Sequence, residues 1–217
     1  FEQLLVTSRN AESNRLKNLY FARNHDLRID PRMSGKWIDD PNGYKIWILG
    51  LRSEGSYSIG LILSRFRLKG GARLFVYNKD RTHILGGFTS VNNDPSNILP
   101  VSHVPGDCIF IQLEMPSEEE DYGDLVIGEA ASAYLPVFAD DPLKDGRFNL
   151  SDDCNIDINC PEGDQWQELK RSVCRILING NKYCTGTLIN TADESRIPYI
   201  LTAAHCIGSQ KEASSAI

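Results

Sequence analysis

The chain has 217 residues, of which 41% are hydrophobic and 24% are charged, and its formal net charge is −6. This balance is that of a globular protein with a proper core, and it excludes the disordered and fibrous classes. The negative charge argues against a nucleic-acid partner, which needs a basic surface. No stretch approaches the roughly 20 apolar residues of a membrane-spanning helix, so we expect no membrane insertion.

Residues 1–34 are expected to form a helical or irregular amino-terminal segment. Within 13–21, the apolar residues Leu16, Leu19 and Tyr20 recur at helical spacing, which predicts a short amphipathic helix. The chain does not start with Met and has no charged-then-apolar leader. We therefore expect that both ends are cut and that a signal peptide has been removed.

Residues 35–138 are predicted to be a β-sandwich domain. Short apolar segments, several with period-2 alternation, are separated by turn formers such as Gly-Gly, Asn-Asp-Pro and Pro-Gly-Asp. Strands at this spacing predict an all-β, jelly-roll-like sandwich. The predicted strands are 45–51, 57–63, 72–77, 109–114 and 125–128. The aromatic residues expected in the core are Trp37, Trp47, Phe66, Phe75 and Tyr77.

An acidic run occupies residues 117–124, between two predicted strands. The first interpretation is a solvated loop. The alternative is a calcium site, because calcium prefers carboxylate oxygens as ligands.

Residues 139–153 are polar, contain turn formers and predict a linker between two domains. Lys144 and Arg147 lie in this linker, where a lysine-specific or trypsin-like enzyme could cut. An equally good interpretation is that both charges serve only solubility.

Five of the six cysteines follow residue 150, which indicates either disulfides of an exported protein or metal ligands. No C-x-x-C pair is present and only one histidine lies among these cysteines. A zinc module built on Cys154, Cys160 and His205 is therefore the weaker interpretation. We expect a secreted protein without a metal or a cofactor.

The carboxy-terminal part is predicted to contain three antiparallel strands. Asn179-Gly180 is a strong hairpin signal between predicted strands 171–177 and 182–189. A third strand at 198–201 leads into a helical turn at 203–206. A lone histidine is more often a packed or surface residue than a catalyst, and this is our interpretation of His25, His83 and His103.

Two sequence runs set His205 apart from the other histidines. The chain resembles the trypsin-like serine proteases in two runs, Cys184-Thr185-Gly186-Thr187-Leu188 and Leu201-Thr202-Ala203-Ala204-His205-Cys206. Residues 154–164 are similar to the start of the mature bacterial lysyl endopeptidases, and residues 35–137 are similar, less specifically, to the amino-terminal region of their precursors.

The resemblance implies a role for each of these residues. His205 would be the general base of a Ser-His-Asp triad. Cys184 and Cys206 would form a disulfide that fixes the histidine loop. Cys154 and Cys160 would each bond to a cysteine beyond residue 217, with a bond between these two as the alternative.

Three features depart from the pattern of the lysyl endopeptidases. Ala204 resembles the general trypsin motif, where the lysine-specific enzymes more often have a polar residue or a second histidine. Cys174 stands where a small apolar residue is expected, which predicts a buried free thiol. No Ile-Val-Gly-Gly follows a basic residue in the linker, so activation by insertion of a new amino terminus is not supported.

The resemblance thus predicts that residues 154–217 are the truncated amino-terminal part of a trypsin-fold protease domain. We expect a secreted, monomeric bacterial serine endopeptidase precursor that cleaves polypeptides after Lys or Arg. The chain alone is expected to be inactive, because the Asp and Ser of the triad are missing. The alternative is a surface protein whose sandwich binds glycan or protein and whose protease segment is an inactive remnant.

Overall fold

Antiparallel strands form three sheets in the computed structural model, which describes residues 19–136, 156, 158–192, 195 and 197–217. The all-β prediction is confirmed. The strands are β1 (Leu19–Tyr20), β2 (Ala22–Ile29), β3 (Lys36–Asp40), β4 (Tyr44–Arg52), β5 (Ser58–Leu68), β6 (Arg73–Asn78), β7 (Ile84–Phe88), β8 (Leu99–Pro105), β9 (Cys108–Pro116), β10 (Gly123–Ala133), β11 (Val173–Ile178), β12 (Lys182–Ile189) and β13 (Tyr199–Leu201). The helices are α1 (Gln167–Lys170), α2 (Gln210–Ser214) and two 3₁₀ turns at Ser90–Asn92 and Pro161–Trp166.

Two of the sheets pack face to face as a β-sandwich. One has the strand order β2-β10-β5-β8 and the other β3-β4-β9-β6-β7. The chain crosses between the sheets after β2, β4, β5, β7, β8 and β9. This interleaving is the double Greek key of a jelly roll, with β3 as an added edge strand, and it confirms the predicted sandwich type.

The sandwich core follows from period-2 alternation along the strands. In β9 every second residue is buried, and these residues are Ile109, Ile111, Leu113 and Met115. They pack in one cluster with inner-face residues of the facing sheet. Full burial of such a side chain contributes about 1.5–3 kcal/mol, so this alternation fixes which face of each strand points inward.

The amino-terminal prediction needs two corrections. The sandwich begins before residue 35, because β2 pairs with β10 along its length. Leu19–Tyr20 form strand β1 instead of the end of a helix, since their backbone pairs with β12. The remainder of the predicted helix, residues 13–18, lies outside the described residues. The division into domains stays a prediction, and residues 139–153, with Lys144 and Arg147, also lie outside the described residues.

The predicted strands of the sandwich are confirmed, and four others were missed. The predicted runs at 45–51, 57–63, 72–77, 109–114 and 125–128 all lie within observed strands or overlap them. The missed strands are β2, β3, β7 and β8. They carry charged residues, glycines or prolines, and all four are the edge strands of their sheets, where one-sided burial leaves a weaker hydrophobic pattern.

Most of the predicted core aromatics are buried, and Trp37 is the exception. Trp47, Phe66 and Tyr77 are buried, and Phe75 is half-buried. The prediction is wrong for Trp37, which is 36% exposed. Its strand β3 is the outermost of its sheet, so on one side no described strand covers it.

The third sheet contains the predicted carboxy-terminal strands. β12 pairs with β11 on one side and with β13 and β1 on the other. Asn179 and Gly180 both have positive φ, 51° and 67°, as a tight hairpin turn between twisted strands requires. The predicted hairpin and the third strand are confirmed. At one end of this sheet the described residues leave both faces uncovered, because Val173 and Leu201 are exposed on one face and Leu188 on the other.

No helix among the described residues has the length and apolar character needed to cross a membrane.

Candidate functional site

His205 lies in a tight turn that follows β13. The turn is closed by a 2.9 Å hydrogen bond from the Cys206 N–H to the Ala203 carbonyl oxygen. The hydroxyl of Thr202 donates a 2.8 Å hydrogen bond to the carbonyl oxygen of Thr185 in β12. The strand β13, which leads into the turn, also pairs with β12. The turn is therefore attached to β12 both through this strand and through the Thr202 side chain.

A disulfide joins the same turn to the same strand. Cys184 in β12 and Cys206 are bonded, with 6.0 Å between their Cα atoms and a sequence separation of 22. Cys206 is buried in a cluster with Ile176 and Ile178. A ring nitrogen of His205 lies within 4.8 Å of both sulfur atoms. The predicted disulfide is therefore present, and it lies directly beside the histidine.

The His205 side chain is exposed, whereas its neighbour Cys206 is buried. The turn thus places the sulfur inside and the imidazole at the surface. An accessible imidazole on an anchored turn can accept a proton from a nucleophile that further protein brings within hydrogen-bond reach. The geometry fits the role of a positioned general base.

The group of Cys184, His205 and Cys206 does not form a zinc site. Among the described residues, Cys184, His205 and Cys206 are the one group with metal-ligand geometry. Both sulfurs are consumed in the disulfide, so no thiolate is available for a metal. Cys160 carries a free thiol. Cys154 lies outside the described residues, so its pairing, with Cys160 or elsewhere, stays a prediction.

Cys174 is placed differently from its prediction. Its thiol is free, as predicted, but it is exposed and not buried, and its Sγ contacts the Gly186 carbonyl oxygen at 3.4 Å. The residue lies on β11, whose first three residues are all exposed. The strand position predicted burial, yet the described chain supplies no layer over this part of the sheet.

The acidic run behaves as a solvated loop. Its residue Asp121 accepts a 2.6 Å hydrogen bond from Lys69 and lies 3.5 Å from Arg32. The hydrogen bond from Lys69 lowers the pKa of the Asp121 carboxyl below its usual range, and the N–H of Gly123 acts in the same direction. Among the described residues, no three carboxylates converge as calcium ligands would.

A cleft beside this loop was not foreseen from the sequence. It has a volume of about 350 Å³, and Trp37 forms one side, stacked at 5.8 Å on Tyr122. The guanidinium of Arg32 lies 4.6 Å from the Tyr122 ring centre. Asp39 and Glu120 also line the cleft and are exposed. An exposed indole among separated donors and acceptors suits a polar ligand with an apolar face.

Comparison with known proteins supports a relation to the lysyl endopeptidases. Residues 148–217 match the family model described as "Lysyl endopeptidase, C-terminal domain". A curated lysyl endopeptidase of Pseudomonas aeruginosa is 23% identical over 197 residues, which cover 83% of this chain and 41% of that protein. The chain thus spans less than half the length of this relative. No solved structure matches it significantly.

Proposed function

We propose that this chain is the amino-terminal part of a secreted serine endopeptidase precursor that hydrolyses peptide bonds after lysine or arginine. His205 is the general base: it takes the proton from the attacking serine and then gives it to the leaving amine. The serine, the orienting aspartate and the specificity pocket belong to sequence that follows residue 217. The chain alone has no peptidase activity.

One observation carries this proposal. The turn that bears His205 is tied to β12 by the Cys184–Cys206 disulfide and by the hydrogen bond from Thr202 to Thr185. A general base must hold its position to within a fraction of an ångström during the reaction. This double attachment supports the proposal because it holds the turn in the way that a general base requires.

Further observations support the finer parts of the proposal. The disulfide itself favours an oxidising compartment and thus secretion. The relation to lysyl endopeptidases favours lysine at the cleaved bond. The exposed apolar residues of β12 and β13, Leu188 and Leu201 on opposite faces, favour further protein packed against this sheet, as a two-barrel protease would provide.

The test is an assay of the full-length gene product on peptides that differ only in Lys, Arg or Leu before the cleaved bond. We expect a preference for Lys and inactivation by a serine-directed fluorophosphonate. His205→Ala should lower kcat/KM by about 10⁴-fold or more. The matched control is His25→Ala, which removes an exposed imidazole from β2 and should change nothing.

Three results would contradict the proposal in different ways. Undiminished activity of the His205→Ala protein would remove the histidine from the mechanism. Equal cleavage after Lys and Leu would leave a serine protease without basic specificity. Inhibitor-sensitive turnover by residues 1–217 alone would place the site elsewhere.

The cleft at Trp37 favours a second candidate function, binding of a glycan or a protein by the sandwich, with the protease segment as a remnant. A pyranose ring can lie on the exposed indole while its hydroxyls bond to Asp39, Glu120 and Arg32. Titration of the chain with oligosaccharides and basic peptides, followed by tryptophan fluorescence, tests this function. Trp37→Ala should abolish the response and Trp166→Ala, at an exposed tryptophan outside the cleft, should not.

A further inference from the structure

The tip of the β11–β12 hairpin is held against the sandwich by its own backbone. Three consecutive residues, Asn179, Gly180 and Asn181, each accept hydrogen bonds at their carbonyl oxygens from the sandwich side. The donors, in the same order, are Asn24 Nδ2 at 2.8 Å, His103 Nε2 at 2.7 Å, and the N–H groups of Phe21 and Ala22 at 3.0 and 3.4 Å. These acceptors are backbone carbonyl oxygens, which are present whatever side chain a residue carries. The contacts therefore depend on the backbone conformation of the turn and not on its side chains.

The sandwich surface under the turn is built for close approach. A Cβ atom on Gly180 would lie 3.1 Å from the Cβ of Ala131, and one on Gly60 would lie 2.8 Å from the His103 ring. Small residues therefore let the turn and the imidazole come together without a gap. Phe21 and Tyr183 stack beside them, with ring centres 4.1 Å apart. This docking surface is apolar, closely packed and provided with matched hydrogen-bond donors.

His103 lies at the centre of this docking surface. It is 1% exposed, its Nε2 donates to the Gly180 carbonyl, and its Nδ1 lies 3.0 Å from the Ser58 hydroxyl. A carbonyl oxygen only accepts, so the neutral ring carries its proton on Nε2 and accepts from Ser58 through Nδ1. A second proton would place a positive charge in this apolar contact.

We propose that, once the chain is cut between β10 and β11, the docking surface and the β1–β12 pairing hold the sandwich piece, which carries β1, to strands β11–β13 at neutral pH, and that protonation of His103 weakens this attachment. The partner of the sandwich is the hairpin of this same protein, and the proposal does not depend on its catalytic function. A cut in residues 139–153 would then leave a complex that acid dissociates.

The direction of the pH effect follows from burial. Burial lowers the pKa of His103 from 6.5 to about 4, against smaller opposite effects of the Gly180 carbonyl and of Ser58. The docked state thus favours the neutral ring, so attachment is complete above the ordinary pKa and weakens as the pH falls from 6.5 towards 4. No charged side chain contributes to this shift.

Other charged groups flank the contact and need their own control. Glu129 accepts from Asn24 at 2.7 Å and from Lys211 at 3.4 Å, on the sandwich side of the turn. Lys182 pairs with Glu212 behind it, and Arg175 lies 4.7 Å from the Tyr183 ring centre. The variant Glu129→Gln therefore serves as the control for this carboxylate.

The experiment places a recognition sequence for a site-specific protease within residues 139–153 of the full chain. After the cut, gel filtration and light scattering at pH 7.5 should show both pieces in one complex. Between pH 7.5 and pH 4.5 the dissociation constant should rise about 70-fold, as one proton with pKa values of 6.5 and 4 requires. His103→Gln keeps a donor for Gly180 without titrating, and it should reduce this rise to less than about 5-fold. Glu129→Gln should retain most of the rise.

Three outcomes would overturn the proposal. The pieces could separate at pH 7.5, the His103→Gln complex could respond to acid as the wild type does, or Glu129→Gln alone could abolish the response. If His103→Gln fails to fold, NMR titration of the cut wild-type complex replaces it. The His103 ring should then titrate near pH 4 in the complex and near pH 6.5 in the free sandwich piece, with exposed His25 as the internal reference. An unchanged His103 titration would also overturn the proposal.

Discussion

The rings of Phe21 and Tyr183 lie parallel, with an interplanar angle of 15° and 4.1 Å between their centres. Phe21 stands between β1, which belongs to the carboxy-terminal sheet, and β2, which belongs to the sandwich. Its carbonyl oxygen accepts from Tyr134 and Leu135, and its N–H donates to Asn181. One residue thus joins both parts of the protein through its ring and its backbone.

The first prediction concerns this stacked pair. Phe21 is fully buried, so Phe21→Ala should lower the free energy of unfolding by about 3–5 kcal/mol through lost apolar contact and the cavity left behind. Tyr183→Phe keeps the stacked ring and should cost about 1 kcal/mol or less. Urea unfolding followed by circular dichroism measures both, and equal losses would show that the ring contact is not what stabilises this junction.

The second prediction concerns the disulfide beside His205. Replacing both Cys184 and Cys206 by Ala should lower the stability of the carboxy-terminal sheet by about 3 kcal/mol, since the bond closes a loop of 22 residues. Limited proteolysis at increasing urea concentrations reports this loss. Cys174→Ser, on the neighbouring strand with a free exposed thiol, is the control and should stay within about 0.5 kcal/mol of wild type. Equal sensitivity of both variants would contradict the structural role of the bond.

The third prediction concerns the ion pair between the buried Lys182 and the half-buried Glu212. Lys182 is 5% exposed, and its ammonium bonds to Glu212, which also accepts from the Gly208 N–H at 2.8 Å. Glu212→Ala leaves the buried Lys182 ammonium without its carboxylate partner. The double variant Lys182→Met with Glu212→Ala removes the ammonium as well, so no unpaired charge stays buried. We expect the double variant to have a higher urea midpoint than Glu212→Ala alone. The reverse order would show that solvent reaches Lys182.

The same pair has a defined pH dependence. The hydrogen bond from Lys182 lowers the pKa of the Glu212 carboxyl below its ordinary 4.5. A lowered folded-state pKa means that the stabilisation is complete above the ordinary value and is lost as the pH falls through the folded-state value. NMR titration should find the Glu212 carboxyl below pH 4.5 in wild type and closer to it in Lys182→Met.

The fourth prediction compares two glycines with nearly the same φ angle. Gly106 and Gly123 have φ values of 104° and 103°. A Cβ atom on Gly106 would contact nothing within 4 Å, whereas one on Gly123 would lie 2.0 Å from the carbonyl oxygen of Arg67. Gly106→Ala should therefore lower the free energy of unfolding only by the backbone strain, about 1–3 kcal/mol. Gly123→Ala should lower it by more, because β10 must also move away from β5. Similar thermal midpoints for the two variants would contradict this difference.

The sequence by itself determined the strand-rich class, the sandwich type, the Asn179-Gly180 hairpin and the pairing of Cys184 with Cys206. These features depend on local patterns: period-2 alternation, turn chemistry, and two motifs similar to a known protease family. The pairing of Cys184 with Cys206, 22 positions apart, is implied by the resemblance that the two motifs carry together, and each signal is a short run of residues that can be recognised without knowledge of what covers it. This is why the core of β9 could be read from its alternation alone.

Only the tertiary structure decided which surfaces are covered and by what. Trp37 and Cys174 look like core residues in their strands, yet both are exposed in the described part of the chain. His103 has no local feature that separates it from His25 or His83, and it is buried between Phe21 and the carbonyl of Gly180, which is 77 positions away. The burial of a residue depends on contacts between distant parts of the chain. A sequence pattern indicates which residues could be buried, but it does not indicate which part of the chain covers them.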